Sequence, residues 1–181
     1  MTTSILDRIK QSANEFSTQL IEIRRHLHTH PELSFEEKET AKYITKQLDN
    51  LGINYQKDIG GHGIVGLIKG KNPDRQTIAL RADIDALPIQ EKNNVSYCSV
   101  NEGKMHACGH DVHTTCLIGA LKILNEIKDN FEGQIKFIFQ PAEEKLPGGA
   151  SILIQEGVLE NPKVEKIFGE HVLPQLETGK V

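Results

Sequence analysis

Apolar residues return at three- and four-residue steps over residues 4–29, at Ile5, Ile9, Phe16, Leu20, Ile23 and Leu27, which predicts an amphipathic helix. His30-Pro31 closes it, because the residue before a proline is pushed out of the helical region. Ser34-Phe35-Glu36-Glu37 then has the order of a capping box, in which Glu37 reaches back to the Ser34 amide. The helix it opens is expected to run to Leu51 and to end at Gly52. Shorter apolar runs at 53–56, 64–69 and 77–81 read as strands, separated by the glycines of IGGHG (59–63) and the turn KNPD (71–74).

A further long helix fits residues 111–129, with Val112, Cys116, Gly119, Ala120, Ile123, Leu124 and Ile127 as its buried stripe. A strand at 134–139, a helix at 149–156 and a strand at 166–169 follow. No internal repeat or low-complexity segment interrupts the alternation. Strands alternating with helices indicate an α/β fold, a mixed, mostly parallel sheet flanked by helices.

Composition narrows the picture. The chain has 181 residues, 38% of them hydrophobic and 25% charged, which is the balance of a globular protein with a packed core. A net charge of −4, with Lys and Arg scattered, gives no footprint for nucleic acid. The N-terminus lacks the basic and apolar regions of a signal peptide, and no apolar run is long enough for a membrane span. Cys98, Cys108 and Cys116 are odd in number and lack CxxC spacing, which argues against a disulfide framework and for the cytoplasm.

Candidate chemistry collects where apolar strands run into polar residues. TIALRADIDALP delivers Asp83 and Asp85, QIKFIFQPAEE delivers Glu143 and Glu144, and KIFGEHV delivers Glu170 and His171. Open α/β sheets bind ligands beyond the carboxyl ends of their strands, so these groups can converge. MHACGHDVHTTC (105–116) runs into a predicted helix, with CGHD at its entrance, and admits three readings: a structural zinc knuckle, a cysteine nucleophile with a histidine base, or part of a catalytic metal site. A Cys-x-His pair in a glycine turn can bring Cys108 and His110 to one ion. Adjacent Glu143 and Glu144 repel each other, and a cation near Cys108 and His110 offsets that repulsion while leaving one carboxylate free as a proton acceptor. Blander readings hold elsewhere. Asp111 reads as a helix N-cap, Cys116 as core, His62 as a solvated turn residue, and Glu36, Glu37 and Glu39 as a solvated helix start. His26, His28 and His30 do not share a helix face and form no metal patch. His106 and His113 have no assigned role.

RRHLHTHPELSFEE, LRADIDALPIQE, MHACGHDVHTT, FQPAEE, GGA and FGEHV, in this order, resemble the aminoacylase/carboxypeptidase-type binuclear metallopeptidases. The likeness is strongest to the amidohydrolase branch, with hippurate hydrolase, N-acyl-amino-acid amidohydrolases, N-acetyldiaminopimelate deacetylase and auxin–amino acid conjugate hydrolases. The resemblance implies metal-dependent hydrolysis of N-acyl amino acids or short peptides. It implies two divalent metal ions, with zinc first and manganese, cobalt or nickel as alternatives. It assigns Cys108, His110, Glu144 and His171 as metal ligands and Glu143 as general base. Asp83 and Asp85 are expected to orient the ligands from behind, with Asp111 sharing that role.

Members of that family are longer. They continue into a lid and dimerisation domain, then return to the catalytic domain with a further histidine ligand. The expectation is therefore that residues 1–181 are the N-terminal portion of the catalytic domain, the full-length form being a homodimer and this portion alone having little or no activity. A non-catalytic remnant that binds metal or a partner is the alternative.

Overall fold

A computed structural model describes residues 4–180. Helix α1 (Ile5–Thr29) is capped by the Ser4 side chain on the Asp7 amide, and buries Phe16, Ile23 and Leu27 along one stripe. Helix α2 (Lys38–Asn50) ends as its sequence requires. Gly52 takes φ +64, its N–H returns to the Asp49 carbonyl, and the Ile53 N–H returns to that of Leu48, a Schellman closure.

The start of α2 departs from the expected capping box. Glu37 occupies the cap position and makes no side-chain cap bond. Ser34 Oγ instead donates to Asp85 Oδ2 at 2.6 Å, and Glu37 Oε1 accepts the Ala142 N–H at 2.7 Å. Glu37 is not a solvated residue: its exposure is 0%. Both side chains are drawn into contacts with distant strand ends, which local spacing does not encode.

Strands β1 (Tyr55–Ile59), β2 (Gly63–Lys69), β3 (Thr77–Asp83), β4 (Gln134–Gln140) and β5 (Lys166–Gly169) form one sheet in the order β1-β2-β4-β3-β5. The sheet is mixed: β1–β2 and β2–β4 are antiparallel, while β4–β3 and β3–β5 are parallel. Strand β1 begins two residues later than its apolar run suggests, at Tyr55. Helix α3 (His110–Glu126) crosses between the parallel strands β3 and β4, and helix α4 (Gly149–Gln155) lies between β4 and β5 in sequence.

Alternation along the strands sends side chains to two cores. Ile64 and Ile68 of β2 and Phe137 and Phe139 of β4 meet Phe16, Ile23, Leu27, Ile44, Leu48, Leu117, Ile118 and Leu121 from α1, α2 and α3. Val65, Ala79 and Ile138 face the other way and pack on Leu153 and Val158 around α4. Burying each large apolar side chain such as Phe137 contributes about 1.5–3 kcal/mol.

The buried face of α3 is rotated from the expected stripe. Leu117, Ile118 and Leu121 carry it together with Gly119 of that stripe, Ile127 is buried just past the helix, and Cys116 is exposed rather than in the core. The helix is fixed both by its apolar core face and by its polar first two turns, where His110, Asp111, His113, Thr114 and Thr115 are buried. Among the described residues no helix is long and apolar enough to cross a membrane.

Candidate metal centre

Parallel pairing of β4, β3 and β5 places their carboxyl ends at one edge of the sheet. There the chain end of β3 presents Asp83 and, after it, Asp85; β4 leads to Glu143 and Glu144; β5 leads to His171. Gly109, at φ +93, turns the chain into α3 and sets Cys108 and His110 on the same edge. A left-handed conformation of this kind is one that glycine adopts without strain. It also makes Gly109 the N-cap of α3, so Asp111 is not the cap but a residue of the first turn.

Three groups of donors lie close enough to hold an ion: Cys108, His110 and His171; His110, Glu143 and Glu144; and Asp83, His110 and His113. Within each group the donor atoms lie within 4.8 Å of one another. His110 belongs to all three. Its Nδ1 donates to the main-chain oxygen of Asp85 at 2.8 Å, with Asp85 Oδ1 at 3.2 Å. In the neutral ring that leaves Nε2 with the lone pair. It is buried without a hydrogen-bond partner, 3.7 Å from both Asp83 Oδ2 and Glu144 Oε1. A bare buried nitrogen among carboxylates costs free energy unless something electropositive meets it.

His171 is oriented in the same manner. Its Nδ1 donates to the Val172 carbonyl at 2.7 Å, and its Nε2 stands 3.3 Å from Cys108 Sγ. Burial, then the Glu144 carboxylate and the charges of Asp83 and Glu143, push the Cys108 thiol up to about 12. A thiol amid carboxylates is the reverse of the electropositive setting that activates a cysteine nucleophile. A divalent cation would reverse that field and could take the thiolate as ligand. The donor set of thiolate, imidazole and carboxylate thus fits a divalent metal ion.

Behind these donors stand two carboxylates. Burial pushes Asp85 up, but bonds from His110, the Glu144 amide and Ser34 outweigh it and hold its carboxyl at about 2. Asp85 Oδ2 accepts the Glu144 N–H at 3.0 Å, so one side chain ties the His110 ring to the Glu143-Glu144 backbone. Asp83 is gripped by Arg81 at 2.6 Å and by His113 Nδ1 at 2.6 Å. Burial opposes its charge, but the His113 bond and the charges of His110 and Arg81 lower its pKa. His110 itself is pushed down by burial and raised further by Asp85 and by the charges of Asp83 and Glu144, for a net increase.

Glu143 and Glu144 follow Ala142, whose φ of +49 is left-handed for a residue with a Cβ. The Ala142 peptide is pinned on both sides. Its N–H is held by Glu37, and its carbonyl accepts the Gly149 N–H at 2.7 Å. A Cβ at Gly149 would overlap the Pro141 carbonyl oxygen, so the glycine of GGA lets α4 approach this turn.

Several site residues lie outside the expected set. His28, set aside by its helix-face spacing, is buried and bridges Asp111 Oδ2 at 2.7 Å and Glu91 Oε1 at 3.1 Å. Arg24 adds an ion pair to Asp111 at 3.0 Å. This network joins α1 to the first turn of α3, and its partners are too distant in sequence to leave a local signal. The His28 pKa is raised, by the bond to Asp111 above all, against burial and with help from Glu91. His106 is buried with neither ring nitrogen paired, and burial pushes it down to about 4.

An α/β sheet with thiolate, imidazole and carboxylate donors beyond the ends of its parallel strands defines a class of metal-site proteins. Residues 79–181 match the family described as Peptidase family M20/M25/M40, and the chain belongs to that family. It is 43% identical over 175 residues to an N-acyl-L-amino acid amidohydrolase of Geobacillus stearothermophilus, covering 97% of this chain and 46% of the relative. An N-acetylcysteine deacetylase of Bacillus subtilis is 46% identical over 171 residues, covering 92% of this chain and 43% of the relative. The crystal structure of the Bacillus subtilis YXEP protein, a dinuclear metal-binding peptidase of the M20 family, superposes with a TM-score of 0.85. It is 45% identical and covers 92% of this chain and 46% of that one. The chain therefore spans less than half the length of these relatives.

Proposed function

We propose that the protein is a metal-dependent amidohydrolase of N-acyl amino acids or short peptides, and that residues 1–181 form the N-terminal part of its catalytic domain. The observation that carries this reading is the bare, buried Nε2 of His110, shared by donor groups from the Cys108 turn, the Glu143-Glu144 pair and His171. The names of the relatives, an amidohydrolase and a deacetylase among them, support amide hydrolysis.

In this reading Cys108, His110, Glu144 and His171 hold two divalent cations. Zinc suits the thiolate and imidazole donors, and manganese, cobalt or nickel are compatible with the same set. When bound, such cations polarise an amide carbonyl and make water more acidic. The residues of the chain supply the rest. Asp85 fixes the His110 ring so that Nε2 faces the site. Glu37 and Gly149 clamp the Ala142 peptide and so aim Glu143. The exposed Glu143 carboxylate takes the proton of the attacking water and hands it to the leaving amine. A cytoplasmic location and a homodimeric full-length form belong to the same proposal.

The test is hydrolysis of N-acetyl amino acids by the protein as encoded, with Zn²⁺ or Mn²⁺ added. Glu143→Gln lowers kcat by about 10²–10⁴-fold while bound cation stays unchanged. Chelation abolishes activity, and added cation restores it. Activity that survives chelation and dies on thiol alkylation refutes the proposal in favour of a Cys108 nucleophile. Cation binding without turnover favours the non-catalytic remnant.

A further inference from the structure

Asp83, His110 and His113 form a donor group that by proximity alone can hold an ion, yet the bonding of His113 points elsewhere. Its Nδ1 lies 2.6 Å from Asp83 Oδ1, and its Nε2 accepts the Val172 N–H at 3.0 Å. The Val172 amide can only donate, so Nε2 carries the lone pair and Nδ1 the proton, which goes to Asp83. Neither nitrogen is left for a metal. The ring is buried at 5% exposure, and Asp83 is itself held by Arg81 and, through its main-chain oxygen, by Thr114 Oγ1 at 2.8 Å.

Val172 immediately follows His171, and its side chain packs so closely on Gly109 that a Cβ there would overlap it. The segment bearing His171 is thus fastened to the Cys108–His110 turn at two points, by the His113 ring and by the Gly109 surface. Its own carbonyl then receives the His171 Nδ1–H. The chain of contacts runs Arg81, Asp83, His113, Val172, His171.

We propose that His113 is a positioning residue that holds the His171 segment in place for cation binding, and is not itself a ligand. The inference rests on the reading that Cys108, His110 and His171 take a cation, and it deepens that reading.

Two polar variants separate the roles of the ring. Asparagine at position 113 can still donate to Asp83 but is too short to accept from Val172. Glutamine reaches as far as the lost Nε2 and keeps the acceptor. The full chain and its His113→Asn, His113→Gln and His171→Ala variants are titrated with Co²⁺, whose thiolate charge-transfer band reports Cys108 ligation. Exchange of the Val172 amide is followed without metal. His113→Asn is expected to speed Val172 exchange at least tenfold and to weaken Co²⁺ by about 10–100-fold, the usual effect of losing a group behind a ligand. The number of ions bound stays the same, and His113→Gln remains within a few-fold of wild type.

Loss of a bound ion in both position-113 variants overturns the proposal in favour of a ligand. Wild-type exchange and affinity in His113→Asn also overturn it. If wild type binds no Co²⁺, or His171→Ala binds it unchanged, the metal-site reading fails. In that case the exchange data still decide whether His113 secures Val172.

Discussion

Glu37→Ala removes a fully buried carboxylate whose Oε1 satisfies the Ala142 N–H and whose Oε2 has no partner. Orphaning the buried amide costs about 1–3 kcal/mol, and the lost methylene about 0.8 kcal/mol more. Relief of the unpartnered oxygen offsets part of this, so a net destabilisation of about 2 kcal/mol is expected. Glu37→Gln keeps the acceptor and removes the ionisation. Burial raises the Glu37 pKa above 4.5, with the amides around it pulling the other way. A raised carboxyl pKa means the folded state holds its proton longer than the unfolded chain. Wild-type stability is therefore full below 4.5 and falls as pH rises through the folded pKa. The glutamine variant escapes that fall. Urea unfolding of the three proteins between about pH 4 and 7 measures both effects. Two results refute the reasoning: Glu37→Ala as stable as wild type, or a wild-type to glutamine difference that is the same across the range.

Lys136 lies at 2% exposure with its Nζ donating to the carbonyls of Val158, Asn161 and Pro162. Lys136→Met fills the space but strands these acceptors, and urea unfolding is expected to show a loss of roughly 2–4 kcal/mol. Burial lowers the ammonium pKa, against the pull of Glu160, so stability contributed by this group rises with pH in the window just below 10.5, and the methionine variant lacks that rise. For Glu91, burial raises the carboxyl, but bonds from the Ser99 amide, Asn93 and His28 win and bring it to about 2. Its contribution is present above 4.5 and is lost as pH falls towards 2, so acid unfolding of Glu91→Gln is expected to show a shallower pH dependence over that interval.

The strands and helices were readable because each buries one face, and burial writes its period into the chain. The run QIKFIFQ alternates Ile135, Phe137 and Phe139 towards the helices, with Lys136 and Ile138 opposite, and becomes β4. The convergence of Asp83, Glu143, Glu144 and His171 was readable for a related reason, since parallel strands end on one edge. Cys108 and His110 were readable as a local turn. What escaped has partners far away in sequence. Ser34 and Glu37 have the spacing of a capping box, but Asp85 and Ala142 compete for the same oxygens and win. The helix-face test rightly separates His28 from His26 and His30, but says nothing of Asp111 and Glu91. Cys116 lies off the buried face because α3 carries apolar residues on more than one face, and only tertiary packing chooses among them.

The main-chain carbonyls that hold the Nδ1 atoms of His110 and His171 have a thermodynamic consequence. A histidine free to turn loses rotamer entropy when it takes up an ion, about 0.5–1.5 kcal/mol for a mobile side chain immobilised on binding. In the proposed site that ordering accompanies folding, so association with an ion would gain from donor chemistry with little conformational loss. A site ordered in this way would discriminate among ions by the softness and charge of its donors. With both rings already held, it would have little freedom to reshape itself around an ion of the wrong size.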